Sequence, residues 1–282
     1  MIRLTIWKGF WMIKHKYMIL RRLTQIGVMV LYIGANFWGW KVLEGNLSAS
    51  RLFEKIPLAD PYAVIQMSVA GAALASDVII GALIITVFYA LIGGRAFCSW
   101  VCPINIVTDA ANWLRRKLHM NQVAKKPPVY RDARYWILGL SLILSYLLGV
   151  AAFEFVSPIS MVHRGIVFGL GFGWAAALSV FLFDLFILKN GWCGYVCPLG
   201  GFYSTIGRFS LIRVTHDAEK CTECMHCKEV CPEHQVLFMV GKESLPVLSG
   251  ACTNCARCIE VCNDDALNFH IRSFAKQAKK EK

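Results

Sequence analysis

The C-terminal part of the chain contains the stretch CTECMHCKEVCP at 221–232 and a second, similar stretch, CTNCARCIEVCN, at 252–263. Each stretch holds four cysteines in the spacing C-x2-C-x2-C-x3-C, and the second copy begins 31 residues after the first. The copies differ at their last position, where Asn263 replaces the proline seen at Pro232. The repeated spacing predicts two loops with one backbone path and one kind of ligand chemistry.

This spacing is typical of bacterial ferredoxins, in which three cysteines of one block hold one [4Fe–4S] cubane and the fourth reaches the other cubane. The short gaps let successive thiolates reach different irons, and the longer gap begins a helix that carries the last thiolate away. Residues 208–282 are therefore predicted to form a cytoplasmic α+β bacterial 2[4Fe-4S] ferredoxin domain. We expect the first cluster on Cys221, Cys224, Cys227 and Cys262, and the second on Cys252, Cys255, Cys258 and Cys231.

Two other uses of such cysteines are possible in principle. One block alone is compatible with zinc, and disulfides are the usual alternative for any cysteine-rich segment. Two blocks in register, with no cysteine left over in this part of the chain, favour clusters. Disulfides need an oxidising compartment, whereas the charge pattern described below predicts a reducing, cytoplasmic location for this segment.

The remaining four cysteines form a second repeat, in the strings AFCSWVCPIN at 96–105 and GWCGYVCPLG at 191–200. Cys98 and Cys102 recur 95 residues later as Cys193 and Cys197. Cysteines at i and i+4 lie on one face of a helix, and the proline that follows disfavours an unbroken continuation. These thiols are either buried structural residues or a tetrathiolate site near the cytoplasmic interface. Such a site could hold an additional iron–sulfur centre or another soft metal, or could act as redox-active thiols.

The composition predicts a membrane protein. The chain of 282 residues is 56% hydrophobic and 17% charged, with a mean hydropathy of +0.50, whereas soluble chains carry about a quarter charged residues. Residues 23–207 are predicted to form an all-α transmembrane domain with two internal repeats. Its four transmembrane helices are expected at about 23–43, 77–94, 135–156 and 165–188, with an interfacial or re-entrant piece at about 61–75.

The net charge of +12 is distributed as expected for membrane topology and argues against a nucleic-acid ligand. Residues 1–22 hold six Lys/Arg and no acid, and 95–134 hold eight basic residues against two acids, whereas 41–60 are balanced. Positive charge on alternate loops places both termini in the cytoplasm of a bacterial cell, with a multi-pass chain in the cytoplasmic (inner) membrane. The string RRLTQIGVMVLYIG at 21–34 resembles a twin-arginine export signal, but bulky residues stand where a cleavage site should lie. An uncleaved first helix following a basic cytoplasmic N-terminus is predicted instead.

The histidines and acids bear on the redox chemistry. None of the seven histidines falls within a predicted span, which argues against a transmembrane bis-histidine haem. A lipid-soluble quinone or the cysteine pairs would then handle electrons at the membrane. Acids in a membrane are candidate functional residues. These are Asp77, Glu154 as a proton acceptor for quinol, and Asp184, which could instead pair with Lys189.

The chain resembles the NapH/MauN family of ferredoxin-type membrane proteins over essentially its whole length. The resemblance rests on four predicted spans, the string GNLSAS at 45–50, two CxxxCP strings and the two cubane blocks. It implies a quinol dehydrogenase subunit that oxidises menaquinol or ubiquinol and passes electrons toward a periplasmic nitrate reductase, in nitrate respiration. The partners implied are the membrane quinol pool, the periplasmic ferredoxin subunit NapG and a membrane-anchored multihaem cytochrome c.

Two other functional classes stay open. Related CxxxCP ferredoxin proteins reduce copper during oxidase assembly, so a metal (copper) reductase or maturation factor for a respiratory enzyme is the alternative. Those relatives carry an extra domain after the clusters, whereas this sequence ends in FAKQAKKEK. The third class is a membrane anchor whose clusters only support docking to a partner.

Overall fold

The computed structural model describes residues 15–118, 120, 130–169 and 171–272. The chain divides into two compact units. The first contains the described parts of Met1–Arg22, Tyr89–Ser99 and Tyr203–Lys282, and the second contains Leu23–Phe88 and the described parts of Trp100–Phe202. The ferredoxin-type unit is thus discontinuous in sequence, because an 11-residue segment from the middle of the chain belongs to it.

The helices and strands are given in chain order. The α-helices are α1 (Lys16–Trp38), α2 (Pro61–Val69), α3 (Ser76–Ile92), α4 (Ala96–Trp100), α5 (Ile104–Lys117), α6 (Ala133–Leu148), α7 (Ala152–Val156), α8 (Pro158–Phe168), α9 (Gly173–Leu182), α10 (Pro198–Ile206), α11 (His226–Val230) and α12 (Arg257–Glu260). Two π-helical turns cover Phe183–Ile187 and Trp192–Val196, and 3-10 turns cover Gly207–Phe209 and His234–Leu237. The strands are β1 (Leu43–Gly45), β2 (Ala49–Leu52), β3 (Ile56–Ala59), β4 (Ile212–His216) and β5 (Leu267–Ile271).

In the ferredoxin-type unit, β4 and β5 form an antiparallel pair that brackets both cysteine blocks. Ile212 pairs with Ile271 at one end and His216 with Leu267 at the other. The core beneath the pair is aliphatic and includes Val214, Leu237, Met239, Val240, Val247 and Leu267. Short helices α11 and α12 begin one residue before the third cysteine of each block, Cys227 and Cys258, and cover most of the longer gap, where the spacing predicts a helix.

The long helices bury polar residues and expose apolar ones. In α6, Ser141 and Ser145 are buried, whereas Leu140, Ile143 and Leu147 are 54%, 58% and 69% exposed. In α1, Arg21 and Gln25 are buried, whereas the side chains of Leu23 and Ile26 are more than half exposed. A soluble protein has the opposite polarity, because water disfavours exposed apolar surface.

Within the described part of the chain, α1 is the helix long and apolar enough to cross a membrane. Three further apolar segments, Ser76–Ile92, Ala133–Leu148 and Gly173–Ile187, are shorter than the roughly 20 residues that span a bilayer. The first predicted span, 23–43, is shifted, since α1 begins at Lys16 and ends at Trp38.

Two predicted spans are interrupted by glycine. The third, 135–156, ends early because Gly149 closes α6 in the left-handed conformation (φ 66°), and α7 is a separate helix. The fourth, 165–188, combines parts of two helices, because Gly169 ends α8 at φ 116° before α9 begins at Gly173. Glycine adopts such angles without the steric penalty that other residues meet.

The prediction of an all-α domain between 23 and 207 was wrong in one respect. Strands β1, β2 and β3 form a three-stranded antiparallel sheet in the second unit. The first turn is fixed by Asn46, whose side-chain oxygen accepts the backbone N–H groups of Ser48 and Ala49. Leu43, Leu52 and Leu58 then pack in a cluster with Tyr32 and Val167.

Candidate iron–sulfur site

The two cysteine blocks adopt the same unusual backbone. Glu223 and Met225 in the first block have φ angles of 57° and 60°, and Asn254 and Ala256 in the second have φ angles of 48° and 60°. Each pair recurs at the 31-residue offset of the cysteines. Non-glycine residues seldom adopt positive φ. Where residues of positive φ alternate with right-handed residues, successive backbone N–H groups turn toward one concavity. Such a concavity is called a nest; it binds anions and occurs at many Fe–S sites.

The second cysteine set lines one cavity. A small cavity is bounded by Cys231, Cys252, Cys255 and Cys258, together with aliphatic side chains such as Val214 and Leu237. Cys255 and Cys258 are buried, and Cys231 and Cys252 are half-buried. Cys231 comes from the first block, so the fold brings the last cysteine of one block to the first three of the other.

Burial opposes ionisation of three thiols of this set, those of Cys231, Cys252 and Cys258. Burial raises the pKa of Cys252 to about 11, and burial followed by the neighbouring thiols raises the pKa of Cys231 and Cys258. Four soft sulfur donors in an apolar cavity suit an iron–sulfur cluster, whose irons replace the thiol protons. The nest and the cavity therefore both fit a cubane.

The four cysteines predicted to hold the first cluster form a more exposed group. The pKa of Cys227 is raised by burial, and further by Cys262, Cys221 and Cys224. These three cysteines therefore lie close enough to Cys227 to act on its charge. Cys224 is exposed and Cys227 is buried. The two blocks are tied together here, because Thr222 donates both its N–H (3.1 Å) and its hydroxyl (2.6 Å) to Asp264.

The twelve cysteines are all free thiols. Over residues 15–118, 120, 130–169 and 171–272, no three His, Cys, Asp or Glu side chains gather closely enough to hold one metal ion. A cubane separates its four thiolates more widely than a single ion does, because its irons and sulfides lie between them.

The segment Tyr89–Ser99 packs on the loop of the second block. Arg95 Nη1 lies 2.5 Å from Glu233 Oε1 and 3.0 Å from the carbonyl oxygen of Ala251. Ser99 Oγ donates to the carbonyl of Thr253 (2.7 Å), and Asn254 Nδ2 donates to that of Ile92 (3.2 Å). Sequence reasoning missed Arg95; its one signal was a basic residue at the end of an apolar run, three positions before Cys98.

The CxxxCP cysteines are divided between the two units. Cys98 belongs to the ferredoxin-type unit, and Cys102, Cys193 and Cys197 belong to the other. Cys102 and Cys197 are buried, and Cys98 and Cys193 are half-buried. The predicted convergence of the four sulfurs into one metal or redox site stays a prediction.

The three candidate acids have different surroundings. Asp77 is exposed at the start of α3 and pairs with Arg51 (3.3 Å). Glu154 is half-buried and accepts hydrogen bonds from Ser160 (2.7 Å) and Ser48. Asp184 is completely buried, so it alone of the three is enclosed by the protein.

Asp184 lies in the first of the two π-helical turns, near the second CxxxCP string. Its Oδ1 accepts the N–H of Trp192 (2.9 Å), which directly precedes Cys193, while Oδ2 has no hydrogen-bond partner. Arg115 from α5 donates to the carbonyl oxygens of Asp184 (3.0 Å) and Leu185 (3.2 Å). Asn112, one turn earlier on α5, bonds Asn190 (2.7 Å). Buried polar atoms are rarely unpaired, and π-helical turns recur at functional sites.

Comparison with known proteins identifies the cysteine-bearing segments. A family described as "4Fe-4S dicluster domain" matches residues 213–263, and one described as "4Fe-4S binding domain" matches 75–121 and 168–214, the two regions with the CxxxCP strings. The predicted C-terminal ferredoxin domain is thereby confirmed. No solved structure matches the chain.

Similar proteins extend over most of the sequence. The "Methylamine utilization ferredoxin-type protein MauN" of Paracoccus denitrificans is 41% identical over 243 residues, which is 85% of either chain. The "Ferredoxin-type protein NapH" of Escherichia coli is 44% identical over 231 residues, 82% of this chain and 79% of the relative. NapH of Haemophilus influenzae is 44% identical over 248 residues, 86% and 85% of the two chains. These likenesses and the two cysteine loops make this an iron–sulfur electron-transfer protein. The resemblance noted from the motifs is confirmed, and the chain belongs to the NapH/MauN family of ferredoxin-type proteins.

Proposed function

We propose that the protein is a multi-pass membrane subunit that oxidises a quinol and passes the electrons on through two [4Fe–4S] clusters. The observation that carries the membrane part of the proposal is the reversed polarity of α1 and α6, which bury Gln25, Ser141 and Ser145 and expose leucine and isoleucine. Polar and small residues at helix contacts, with apolar residues outside, are typical of helices in lipid. The segments α3, α6 and Gly173–Ile187 would then cross with α1, despite their length, by local thinning of the bilayer.

We infer the orientation from the basic residues at 1–22 and 95–134. By the positive-inside rule these segments would lie on the cytoplasmic side of the bacterial inner membrane, and both termini would then be cytoplasmic. The proposed domains are the basic N-terminus (1–22), the transmembrane part (23–207) and the ferredoxin-type part (208–282). The segment Tyr89–Ser99 lies within the transmembrane part by sequence but belongs to the ferredoxin-type unit.

The proposed ligands of the first cluster are Cys221, Cys224, Cys227 and Cys262, and those of the second are Cys252, Cys255, Cys258 and Cys231. The shared cavity of the second set, and the effect of Cys221, Cys224 and Cys262 on the pKa of Cys227, support this division. When bound, the clusters supply one-electron redox chemistry. The chain's own residues would enclose the second set in an aliphatic core and leave Cys224 of the first set exposed, so that one set faces the protein interior and the other a partner.

The substrate side of the proposal concerns protons. A quinol loses two protons and two electrons when it becomes a quinone, so a base must accept protons as electrons leave. Asp184 offers an unpaired carboxylate oxygen at the end of an apolar helix, next to Cys193. We assign it the role of proton acceptor in preference to Asp77, which is exposed and paired with Arg51. Glu154, bonded by Ser48 and Ser160, is the second choice.

The electron acceptor is inferred from the relatives named NapH. By that likeness the electrons would pass to the periplasmic ferredoxin NapG or a membrane-anchored multihaem cytochrome c, and on to a periplasmic nitrate reductase. Relatives named for methylamine utilisation match the chain nearly as well. The likenesses therefore do not single out nitrate respiration. The second candidate function is a metal (copper) reductase or maturation factor for a respiratory enzyme, in which the CxxxCP cysteine pairs would be the reacting groups.

The deciding experiment is an anaerobic redox titration of the purified, cluster-loaded protein, read by EPR, with menaquinol added to a parallel sample. Reduced-cubane signals that appear on menaquinol addition support the dehydrogenase. Clusters that form but stay oxidised with menaquinol, and titrate only at much lower potential, would instead support the maturation factor. Copper(II) reduction by the same protein, lost in Cys193→Ser and retained in Cys224→Ser, would strengthen that outcome.

A further inference from the structure

One arginine in the ferredoxin-type unit is buried without a carboxylate. Arg213 on β4 is 2% exposed. Its Nε donates to the carbonyl oxygen of Ser210 (3.1 Å), Nη1 to those of Val247 (3.4 Å) and Ser249 (3.2 Å), and Nη2 to that of Gly207. All four acceptors are neutral backbone groups, and the described ion pairs do not include Arg213.

A buried guanidinium without an anion is unfavourable, because burying a charge is costly unless it is paired. The position of Arg213 indicates where the missing negative charge belongs. The carbonyl of Ser249 accepts both from Arg213 and from the N–H of Cys252 (3.2 Å), and the neighbouring residue Val214 lines the cavity of the second cysteine set. The shared carbonyl therefore links the guanidinium to the backbone of Cys252, a proposed ligand of the second cluster, whose bound cluster would supply the negative charge.

Two other arginines lie near this set, Arg95 and Arg257. Arg95 also approaches the second block, through the carbonyl of Ala251, but its guanidinium is paired with Glu233, which lines the same cavity. Arg257 lines the cavity itself, so Arg213 supplies part of the positive charge beside the second set. At the position equivalent to Arg213 in the second repeat, 31 residues later, the chain has Ser244 and not an arginine. The hydroxyl of Ser244 accepts the N–H of Ala218.

We propose that Arg213 is an internal counter-charge of the cluster on Cys231, Cys252, Cys255 and Cys258, and that it raises the reduction potential of this cluster and not that of the other. One electron added to the cluster makes it more negative, and burial opposes that change. A fixed positive charge favours it, in the way that charge and hydrogen bonding set cluster potentials generally. The inference rests on the proposed ligand sets, and its electron donor is the quinol of the proposed function.

The test is EPR-monitored potentiometry of the full-length, cluster-loaded protein with dithionite as reductant, so that no quinol reaction is required. The two titration waves are assigned with Cys224→Ser, which perturbs the exposed set. We expect Arg213→Gln to lower the equilibrium constant for reduction of the buried cluster at least tenfold, about 59 mV for one electron. The wave of the exposed cluster should stay in place. Arg213→Lys should retain most of the wild-type potential, and the exposed Arg208→Gln is the matched control.

A second variant separates charge from structure. Glu233→Gln keeps a hydrogen-bond acceptor for Arg95 but removes the adjacent negative charge, so we expect it to raise the potential of the buried cluster. Shifts of opposite sign in Arg213→Gln and Glu233→Gln support the proposal, because damage to packing has no reason to reverse its sign. No shift in either, or equal shifts of both clusters, would overturn it. If Arg213→Gln fails to load clusters, the potentials of the buried cluster in Arg213→Lys and Glu233→Gln still test the proposal. A wild-type protein without two cubanes would disprove the ligand sets themselves.

Discussion

Arg95 and Glu233 are 138 positions apart in the chain and form a buried ion pair, with 2.5 Å between Nη1 and Oε1. Their side chains are 1% and 2% exposed. The pair joins the end of an apolar helix to the residue that follows Cys231 and Pro232, so the cysteine loop is held in place by a residue from a distant part of the sequence.

Loss of one partner of this pair should destabilise the ferredoxin-type unit strongly. Removal of one charge from a buried pair typically costs about 3–5 kcal/mol, because the other charge is left uncompensated. We expect Arg95→Met and Glu233→Met each to lower the thermal midpoint and the retained cluster content. The double variant should lose less than the sum, as measured by denaturation followed through cluster absorbance. Strictly additive losses would show that the two charges do not interact.

The cysteine sets predict selective loss of iron. Cys252→Ser should remove the buried cluster, and with it about half of the protein-bound iron and acid-labile sulfide of the two cubanes. Cys231→Ser should have the same spectral effect although Cys231 belongs to the other block. The matched control is Cys227→Ser, which should remove the other EPR signal. If Cys231→Ser instead matched Cys227→Ser, the exchange of fourth ligands between blocks would be refuted.

The exposed face of α6 should not tolerate charge if it contacts lipid. Ile143 is 58% exposed, and a charged residue at the centre of a membrane helix costs roughly 2.5–3.5 kcal/mol on the insertion scale. We expect Ile143→Asp to reduce the amount of protein recovered in the membrane fraction severalfold. Phe238→Asp, at a residue of the ferredoxin-type unit that is 64% exposed, should have little effect. Equal recovery of both variants would argue against a lipid-facing α6.

Asp184→Asn separates the proton-accepting role from the structural one. Asparagine keeps an oxygen that accepts the N–H of Trp192 but cannot take up a proton at neutral pH. General-base catalysis typically contributes about 10²–10⁴-fold, so we expect quinol oxidation to fall by about that factor while both EPR signals under dithionite are unchanged. Asp77→Asn should oxidise quinol at the wild-type rate. Wild-type activity in Asp184→Asn would leave Asp184 a purely structural residue.

Much of the ferredoxin-type unit could be predicted from the sequence because its information is local. The gaps between cysteines fix which backbone conformations reach a cubane, and the positive φ angles at Met225 and Ala256 recur at the predicted offset. The family resemblance could also be recognised, since the CxxxCP strings and the cubane blocks occur in a specific combination. The structure then adds the cavity that joins Cys231 to the second block.

The rest depends on contacts that spacing does not encode. The partner of Arg95 lies far along the chain, and an arginine at the end of an apolar run is ordinarily assigned to the membrane surface. The span limits failed where Gly149 and Gly169 end helices inside apolar sequence, because hydropathy is insensitive to a backbone break. The sheet of β1–β3 was missed because its strands have three or four residues and rely on the turn made by Asn46.

The discontinuity of the ferredoxin-type unit has a consequence for biogenesis. The segment Tyr89–Ser99 leaves the ribosome more than 100 residues before Tyr203 and the remainder of its own unit. At about 5–20 residues per second, Tyr203 would follow roughly 5–20 s later and Glu233 later still. During that interval Arg95 has no Glu233 to neutralise it, and the cysteine loops do not yet exist. Cluster loading is therefore a late step that follows translation of the whole apolar region, and a nascent chain that stalls before residue 262 would lack the last predicted ligand.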